Sequence, residues 1–283
     1  MNFSYLSNSG KISIEISEED FIKIKKLNKI IYSCNTGGYS PTNHFKNVIK
    51  ICELHDYTFI IFTDKHITSI EKENQIVFSF DAPNPRYAAK IFKILPHEFF
   101  INSEISLWID SNVEINQTVF NNLNNFLESD YDIELFLHDK RKNIIDEASE
   151  CKKMAKDNAL IIDSQISKYM SKYVNLKEFG LYQGRILLRK NTNEIQKFSI
   201  FWLNEVLFNS IRDQLSLPIA IKESKVNLSL NNHEDVHNFF KVLVHNKYDM
   251  YSNEKSLKNI FINIKTKIIF KLVKFKETYF DSR

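Results

Sequence analysis

The sequence predicts an α/β fold built on a largely parallel sheet, on three observations. Residues 29–34, 57–62 and 105–109 are short apolar runs with the length and branched side chains of buried strands. Segments of helical period separate them, an alternation that produces parallel strands joined by helices. Each run also stops in polar residues: Asn35-Thr36-Gly37-Gly38, Thr63-Asp64 and Asp110-Ser111-Asn112. In open α/β sheets, ligands bind at the C-terminal ends of the strands.

Taken in order, residues 11–17 alternate apolar and polar like an edge strand. The strand at 29–34 runs into a turn-rich loop whose adjacent Gly37 and Gly38 let backbone approach a ligand closely. It matches neither phosphate-binding glycine motif, so an ordinary turn is the alternative. A helix is expected near 43–54, and strands at 57–62 and 75–80. A second helix opens at Asn84-Pro85-Arg86, with proline in its first turn. Arg86, Lys90 and Lys93 share one face of that helix through spacings of four and three. The face is either a solvated basic stripe or a grip for a diphosphate.

Residues 105–109 form the strand that ends in Asp110-Ser111-Asn112. Hard cations such as Mg²⁺ or Mn²⁺ take oxygen ligands, and Asp110 with Asn112 supplies two from one turn of chain. An Asx-turn closed on its own backbone is the alternative. Helices are expected at 117–127, after residue 141, at 162–173 and at 195–209, with Trp202 in the core. Strands are expected at 133–137 and 186–188. His138 and Arg141 follow the first of these strands. Residues 210–216, with Arg212, Asp213 and Gln214 adjacent among apolar neighbours, read as a buried polar turn.

From 255 to 276, Leu257, Phe261, Ile264, Ile268, Leu272 and Phe275 recur at helical spacing between lysines. A basic amphipathic helix of this kind either lies on an anionic membrane surface or packs on the body. The expected division is an N-terminal extension over 1–27, a main domain over 28–250 and a basic tail over 251–283. The whole is a mixed, mostly parallel sheet flanked by helices, with a C-terminal basic amphipathic helix.

Composition narrows the classes. At 43% apolar and 26% charged, a 283-residue chain is globular and large enough for a real core. Net charge is +3, but the tail alone holds seven lysines and Arg283 against three acidic residues. The body is therefore near neutral, and no nucleic-acid partner is expected. Three cysteines without a C-x-x-C argue against a disulfide scaffold or a cysteine zinc site and for a reducing compartment. The N-terminus lacks the pattern of a signal peptide, and no apolar run reaches about 18 residues. The expected location is the cytoplasm, peripheral on the inner face of the membrane.

An ordered set of motifs then resembles a known family. They are Ile31-Tyr32-Ser33-Cys34-Asn35-Thr36-Gly37-Gly38-Tyr39, Phe62-Thr63-Asp64, Pro85-Arg86 with Lys90, Lys93-Ile94-Leu95-Pro96-His97, and Ser106-Leu107-Trp108-Ile109-Asp110-Ser111-Asn112. His138, Arg141, Glu147-Ala148, Gly180-Leu181, Leu187-Leu188-Arg189 and Ser210-Ile211-Arg212-Asp213-Gln214-Leu215-Ser216 follow. Over roughly residues 28–222 this resembles the TOD/MUCI glycosyltransferase-like family, which includes plant mucilage-related proteins. It is more distantly similar to family-eight retaining glycosyltransferases, with Asp110-Ser111-Asn112 in the Asp-x-Asp place, Tyr182-Gln183-Gly184 in that of the Asn-x-Gly turn and Asp213-Gln214 in that of the Asp-Gln pair. Asn112 departs from that pattern by being neutral, and His233, His237 and His245 all compete for the place of a further metal ligand.

The resemblance implies a GT-A-like fold and transfer of a sugar from a nucleotide-sugar donor. The acceptor would be a saccharide or glycolipid in surface polysaccharide synthesis of the capsule or lipopolysaccharide type, with retention implied by the distant relatives. It implies donor binding by Asn35, Thr36, Gly37, Asp64, Arg86, Lys90 and Arg212. Mn²⁺ or Mg²⁺ would sit on Asp110 and Asn112, with Asp213, Gln214 and His138 acting on sugar or acceptor. A metal-dependent hydrolase and a non-catalytic carbohydrate-binding protein on a transferase fold are the competing readings.

Overall fold

A computed structural model describes residues 1–243 apart from Tyr39 and Pro41. The elements in chain order are β1 (Asn2–Ser7), β2 (Gly10–Ile16), α1 (Glu18–Ile24), β3 (Lys29–Asn35), α2 (Phe45–Glu53), β4 (Thr58–Thr63), β5 (Gln75–Asp81), α3 (Arg86–Ile94) and α4 (Pro96–Phe99). Then come β6 (Ile105–Ile109), β7 (Val113–Ile115), α5 (Val119–Glu128), β8 (Ile133–Phe136), α6 (Ile144–Lys153) and α7 (Ala159–Lys172). β9 (Ile186–Lys190), α8 (Asn193–Phe208), α9 (Asp213–Ser224), β10 (Leu228–Asn231), α10 (Val236–Phe239) and β11 (Phe240–Val242) complete them.

Nine strands form one sheet in the order β1-β2-β5-β4-β3-β6-β9-β8-β10. The pairings make β2 and β9 antiparallel to their neighbours, so the other seven strands share one direction. This is the mixed, mostly parallel sheet flanked by helices that the sequence predicts. Strands β3, β4 and β6 are buried along most of their length, as strands covered on both faces must be. Two apolar clusters do the covering. Ile30, Tyr32, Phe62, Phe92 and Trp202 belong to one; Ile31, Phe59, Ile61, Leu107 and Phe120 belong to the other. Trp202 is fully buried, as expected.

Several boundaries differ from expectation for identifiable reasons. Strands β1 and β2, from residues 1–27, are built into the sheet: β2 pairs antiparallel with β5, and the edge is β1. Pro96 ends α3 but also starts α4, where its missing N–H costs nothing. Residues 213–224 form α9, where the sequence predicts only a polar turn over 210–216, because Pro218 interrupts the helical pattern. The basic stripe from 255 to 276, with the membrane contact expected of it, lies outside the described residues, as does His245. Among the described residues, no helix is long and apolar enough to cross a membrane.

The order of the strands locates the site. From β3 the chain steps to β4 and β5 on one side, then returns to place β6 on the other side of β3. The C-terminal ends of β3 and β6 therefore mark the switch in strand order, the place where open α/β sheets bind their ligands.

Candidate active site

A cleft of about 320 Å³ opens at this end of the sheet. It is lined by Lys90, Lys93, Asp110, Asn112, His138, Arg141, Lys156, Gly184, Arg185, Arg212, Asp213 and Gln214. Six of these side chains are cations and two are carboxylates, so the cleft is strongly electropositive.

Helix α3 supplies the first pair of cations. Lys90 and Lys93, three residues apart, both reach Asp213 at the start of α9. Lys90 Nζ lies 2.8 Å from Asp213 Oδ1 and Lys93 Nζ 2.5 Å from Asp213 Oδ2. Burial alone would raise the Asp213 carboxyl, but Lys90, Lys93 and Arg212 around it hold it well below the usual carboxylate range. Loss of solvent pulls Lys90 down to about 8, with Lys93 and Arg212 adding repulsion against the attraction of Asp213. Asp213 is thus a permanently charged anchor for two lysines. The main chain under Lys93 is also fixed. Its carbonyl accepts from Arg189 Nη2 at 2.8 Å and from the Tyr32 hydroxyl at 3.2 Å. Arg189, on β9, is fully buried and donates to the Tyr32 hydroxyl as well. It stands at the C-terminal end of α3, where free carbonyls attract a cation.

A second buried carboxylate organises the opposite wall. Glu147, in the first turn of α6, has no exposure and accepts from Arg141 Nε. Its other oxygen lies 3.9 Å from Arg212 Nη2 and accepts from the Cys151 thiol at 3.2 Å. Burial pushes that thiol up to about 11, so it remains a donor. Arg212 Nη2 also donates to Gln214 Oε1 at 3.2 Å, and Gln214 Nε2 donates to the Tyr182 carbonyl at 3.4 Å. His138 follows β8. Its Nδ1 accepts from the backbone N–H groups of Lys140 and Arg141 at 3.1 and 3.2 Å. Burial, then Arg141, lowers its pKa, so the ring is neutral near pH 7. Its observed contacts shape the turn that carries Arg141.

Asp110 enters from β6. Its N–H donates to the Arg185 carbonyl at 2.8 Å, and its carbonyl accepts from Val113 N–H at 2.9 Å, which closes a tight turn. Trp108 Nε1 donates to Asp110 Oδ1 at 2.8 Å. The Asn112 amide nitrogen donates to the Leu243 carbonyl at 2.9 Å, which leaves its oxygen as the atom available to a cation. The set does not fit a divalent ion well. It offers one carboxylate and one neutral amide, and Lys93 Nζ already lies 3.9 Å from Asp110 Oδ1. Both oxygens of the other cleft carboxylate, Asp213, are engaged by lysines. Among the described residues, no three His, Cys, Asp or Glu side chains gather into a metal-holding group, and His233 and His237 are not among the cleft's lining residues.

The remaining expected donor residues lie outside the cleft lining. Asn35 exchanges hydrogen bonds with the Ser40 backbone at 3.1 and 3.2 Å. Gly37, at φ 64°, donates its N–H to Asp64 at 3.0 Å. These bonds shape the β3 loop that also holds Thr36, and the Ser111 hydroxyl donates to Ser40 Oγ at 2.8 Å, tying that loop to the Asp110 turn. Arg86, one turn before Lys90, donates from Nη1 to the Lys156 carbonyl at 3.0 Å. It braces the chain that brings Lys156 to the cleft.

Lys156, Gly184 and Arg185 are cleft residues that the sequence reading did not single out as such. Lys156 and Arg185 come from connecting segments without periodicity. Gly184 does carry a signal, because it ends the Tyr182-Gln183-Gly184 turn. A Cβ there would stand 3.1 Å from Lys93 Nζ and 3.4 Å from Gln214 Cγ.

The chain is similar to known proteins to different degrees. The family described as TOD1/MUCI70, glycosyltransferase-like domain, matches residues 4–248. The Arabidopsis thaliana protein named "Probable hexosyltransferase MUCI70" is 24% identical over 225 residues, covering 71% of this chain and 39% of that protein. The chain therefore spans about two fifths of the length of that relative. Among solved structures, a glycosyltransferase involved in glycosylation of the major capsid of PBCV-1 is 10% identical, with a TM-score of 0.43 over 85% of this chain and 99% of the other. The galactosyltransferase LgtC, in complex with donor and acceptor sugar analogs, is 10% identical, with a TM-score of 0.40 over 72% and 73%. The family match spans the strands, the cleft and the N-terminal hairpin from residue 4, well beyond residues 28–222. This chain belongs to the TOD1/MUCI70 glycosyltransferase-like domain family.

Proposed function

We propose that the protein transfers a sugar from a nucleoside-diphosphate donor to a hydroxyl of a saccharide or glycolipid acceptor. The surface-polysaccharide setting expected from the sequence is part of this reading. The observation that carries it is the surplus of cations in the cleft: six against two carboxylates, at the ligand-binding end of the sheet. Such a wall suits a group whose negative charge grows as it leaves, and a diphosphate is that group in sugar transfer. Lys90, Lys93, Arg185 and Lys156 would meet its oxygens, while Arg212 and Arg141 present planar forks for bidentate contact.

In the transfer, the bond from the anomeric carbon to the diphosphate oxygen breaks. A bond from that carbon to the acceptor oxygen forms, and the acceptor proton passes to the departing diphosphate. Asp213 is held by two lysines and is no nucleophile; its role is to keep them in place. Gln214, beside Arg212, offers amide contacts to sugar or acceptor. The neutral His138 supports Arg141. Asp110, the other carboxylate of the cleft lining, accepts from Trp108 and faces the Lys93 ammonium rather than standing free as a base, so attack on the face the diphosphate leaves is the favoured course, which retains configuration. The Mg²⁺ or Mn²⁺ expected on Asp110 and Asn112 has no step in this reading, because their donor set does not fit it.

The test is calorimetric titration of the purified protein with a panel of nucleotide sugars, then NMR of the product's anomeric linkage. Binding of at least one donor, and acceptor-dependent turnover with retained configuration, is expected. If no nucleotide sugar or nucleoside diphosphate binds, the proposal fails.

A further inference from the structure

We infer that the ammonium group of Lys93 is the cleft's resident cation, standing where a divalent ion would otherwise be required, so that a diphosphate binds without metal. The inference rests on the diphosphate reading of the cleft and goes beyond it.

Lys93 Nζ is held in place by two carboxylates and two aromatic rings. It lies 2.5 Å from Asp213 Oδ2 and 3.9 Å from Asp110 Oδ1, between the two carboxylates of the cleft. The Trp108 and Trp202 rings stand 5.9 and 6.0 Å from it, within the range in which an aromatic face attracts a cation. Its side chain is only 4% exposed. Arg189 and Tyr32 pin its carbonyl from below, and Gly184 leaves the space above it open. An exposed lysine samples many positions, whereas this one is confined to a single place.

Charge decides against a second cation beside it. A Mg²⁺ ion bonds oxygen at about 2.1 Å, so one on Asp110 Oδ1 would sit within about 6 Å of Lys93 Nζ. Like charges at that distance repel, and Asp213, already held by Lys90 and Lys93, offers the ion no second carboxylate to offset this. The ligand's own oxygens would have to overcome this, though the cleft already presents six cations to them. A lysine in this place neutralises the leaving group with no ion to recruit and none to lose.

The experiment titrates inorganic pyrophosphate into the full-length protein by calorimetry, once in EDTA and once in excess Mn²⁺. For the wild type, the two dissociation constants are expected to agree within about threefold. Lys93→Met removes the ammonium and leaves the carboxylates unmasked. Its affinity in EDTA is expected to fall by about tenfold or more, and Mn²⁺ is expected to restore most of it. Wild-type binding that requires Mn²⁺ would overturn the inference but keep the diphosphate reading. Absence of binding in both buffers would overturn both. Electron paramagnetic resonance of Mn²⁺ with the wild type alone is a check that needs no variant: free Mn²⁺ is expected to remain free, and stoichiometric uptake would contradict us. Should Lys93→Met fail to fold by circular dichroism, Asp110→Asn takes its place. Pyrophosphate affinity in EDTA is then expected to change by less than about threefold, with no added dependence on Mn²⁺; a larger loss that Mn²⁺ fails to rescue would count against the inference.

Discussion

The two walls of the cleft solve one problem in different ways. On one side Asp213 holds Lys90 and Lys93; on the other Glu147 holds Arg141 and Arg212. Asp213 lies in the cleft wall, and its lysines are compact point charges that need a fixed partner to be placed at all. Glu147 stands behind the wall with no exposure, and its arginines reach past it toward the cleft. The arginines remain partly open to solvent, at 19% and 20%, whereas Lys93 is sealed at 4%. The lysine wall is therefore built around one sealed charge, Lys93, with Lys90 at 17% as open as the arginines, whereas the arginine wall has no sealed cation.

The sharpest break in this comparison is Asp213→Ala. It leaves the sealed Lys93 and the partly open Lys90 without their carboxylate, and the expected loss of stability is about 3–5 kcal/mol in urea unfolding. Glu147→Gln keeps the shape behind the other wall and leaves arginines that water can reach. A smaller loss, about 1–3 kcal/mol, is expected in the same measurement. Equal losses would erase the distinction between the walls. Gly184→Ala tests the lysine wall from above. Its methyl would press on Lys93 and Gln214, so about 1 kcal/mol of overpacking is expected, with pyrophosphate binding weakened more than stability is.

A pH series sharpens the same contrast at the smallest scale. The Asp213 carboxyl is depressed, so its stabilisation is complete above its unfolded value near about 4 and is lost as pH falls further. Lys90, lowered to about 8, behaves oppositely. Burying its charge costs stability below that value, and the cost is relieved as pH rises toward the unfolded lysine value. Pyrophosphate affinity is therefore expected to decline as pH rises through about 8, and Lys90→Met should flatten that profile in calorimetric titrations.

Much of this was legible in the residues. Buried strands announce themselves as apolar runs, so β3, β4 and β6 were found within a residue or so. The face shared by Lys90 and Lys93 follows from helical spacing, and the Asp110 turn from its place after an apolar run. What escaped depends on contacts distant in sequence. Lys93 meets Asp213 across 120 positions, and no local pattern reveals that a carboxylate read as a reactive group is spent on two lysines. Arg86 sits in the same stripe, and its guanidinium bonds the Lys156 carbonyl, a contact across 70 positions that no local spacing reveals. Asn35 and Asp64 stand at the expected strand ends but spend their polar atoms on the loop itself. α9 was hidden by Pro218, which propensity penalises and tertiary packing tolerates.

Arg189 has a consequence for how the chain assembles. Its guanidinium can leave water only when the Tyr32 hydroxyl and the last carbonyls of α3 are already in place. Those partners come from the first half of the chain, and Arg189 comes from the second. The centre of the sheet is therefore a single cooperative unit. A fragment ending before β9 would lack more than one strand: Tyr32 and the end of α3 would lose a shared partner, and the Lys93 carbonyl would lose its guanidinium donor. Splitting the gene upstream of β9 should yield halves that gain order together or stay unfolded apart.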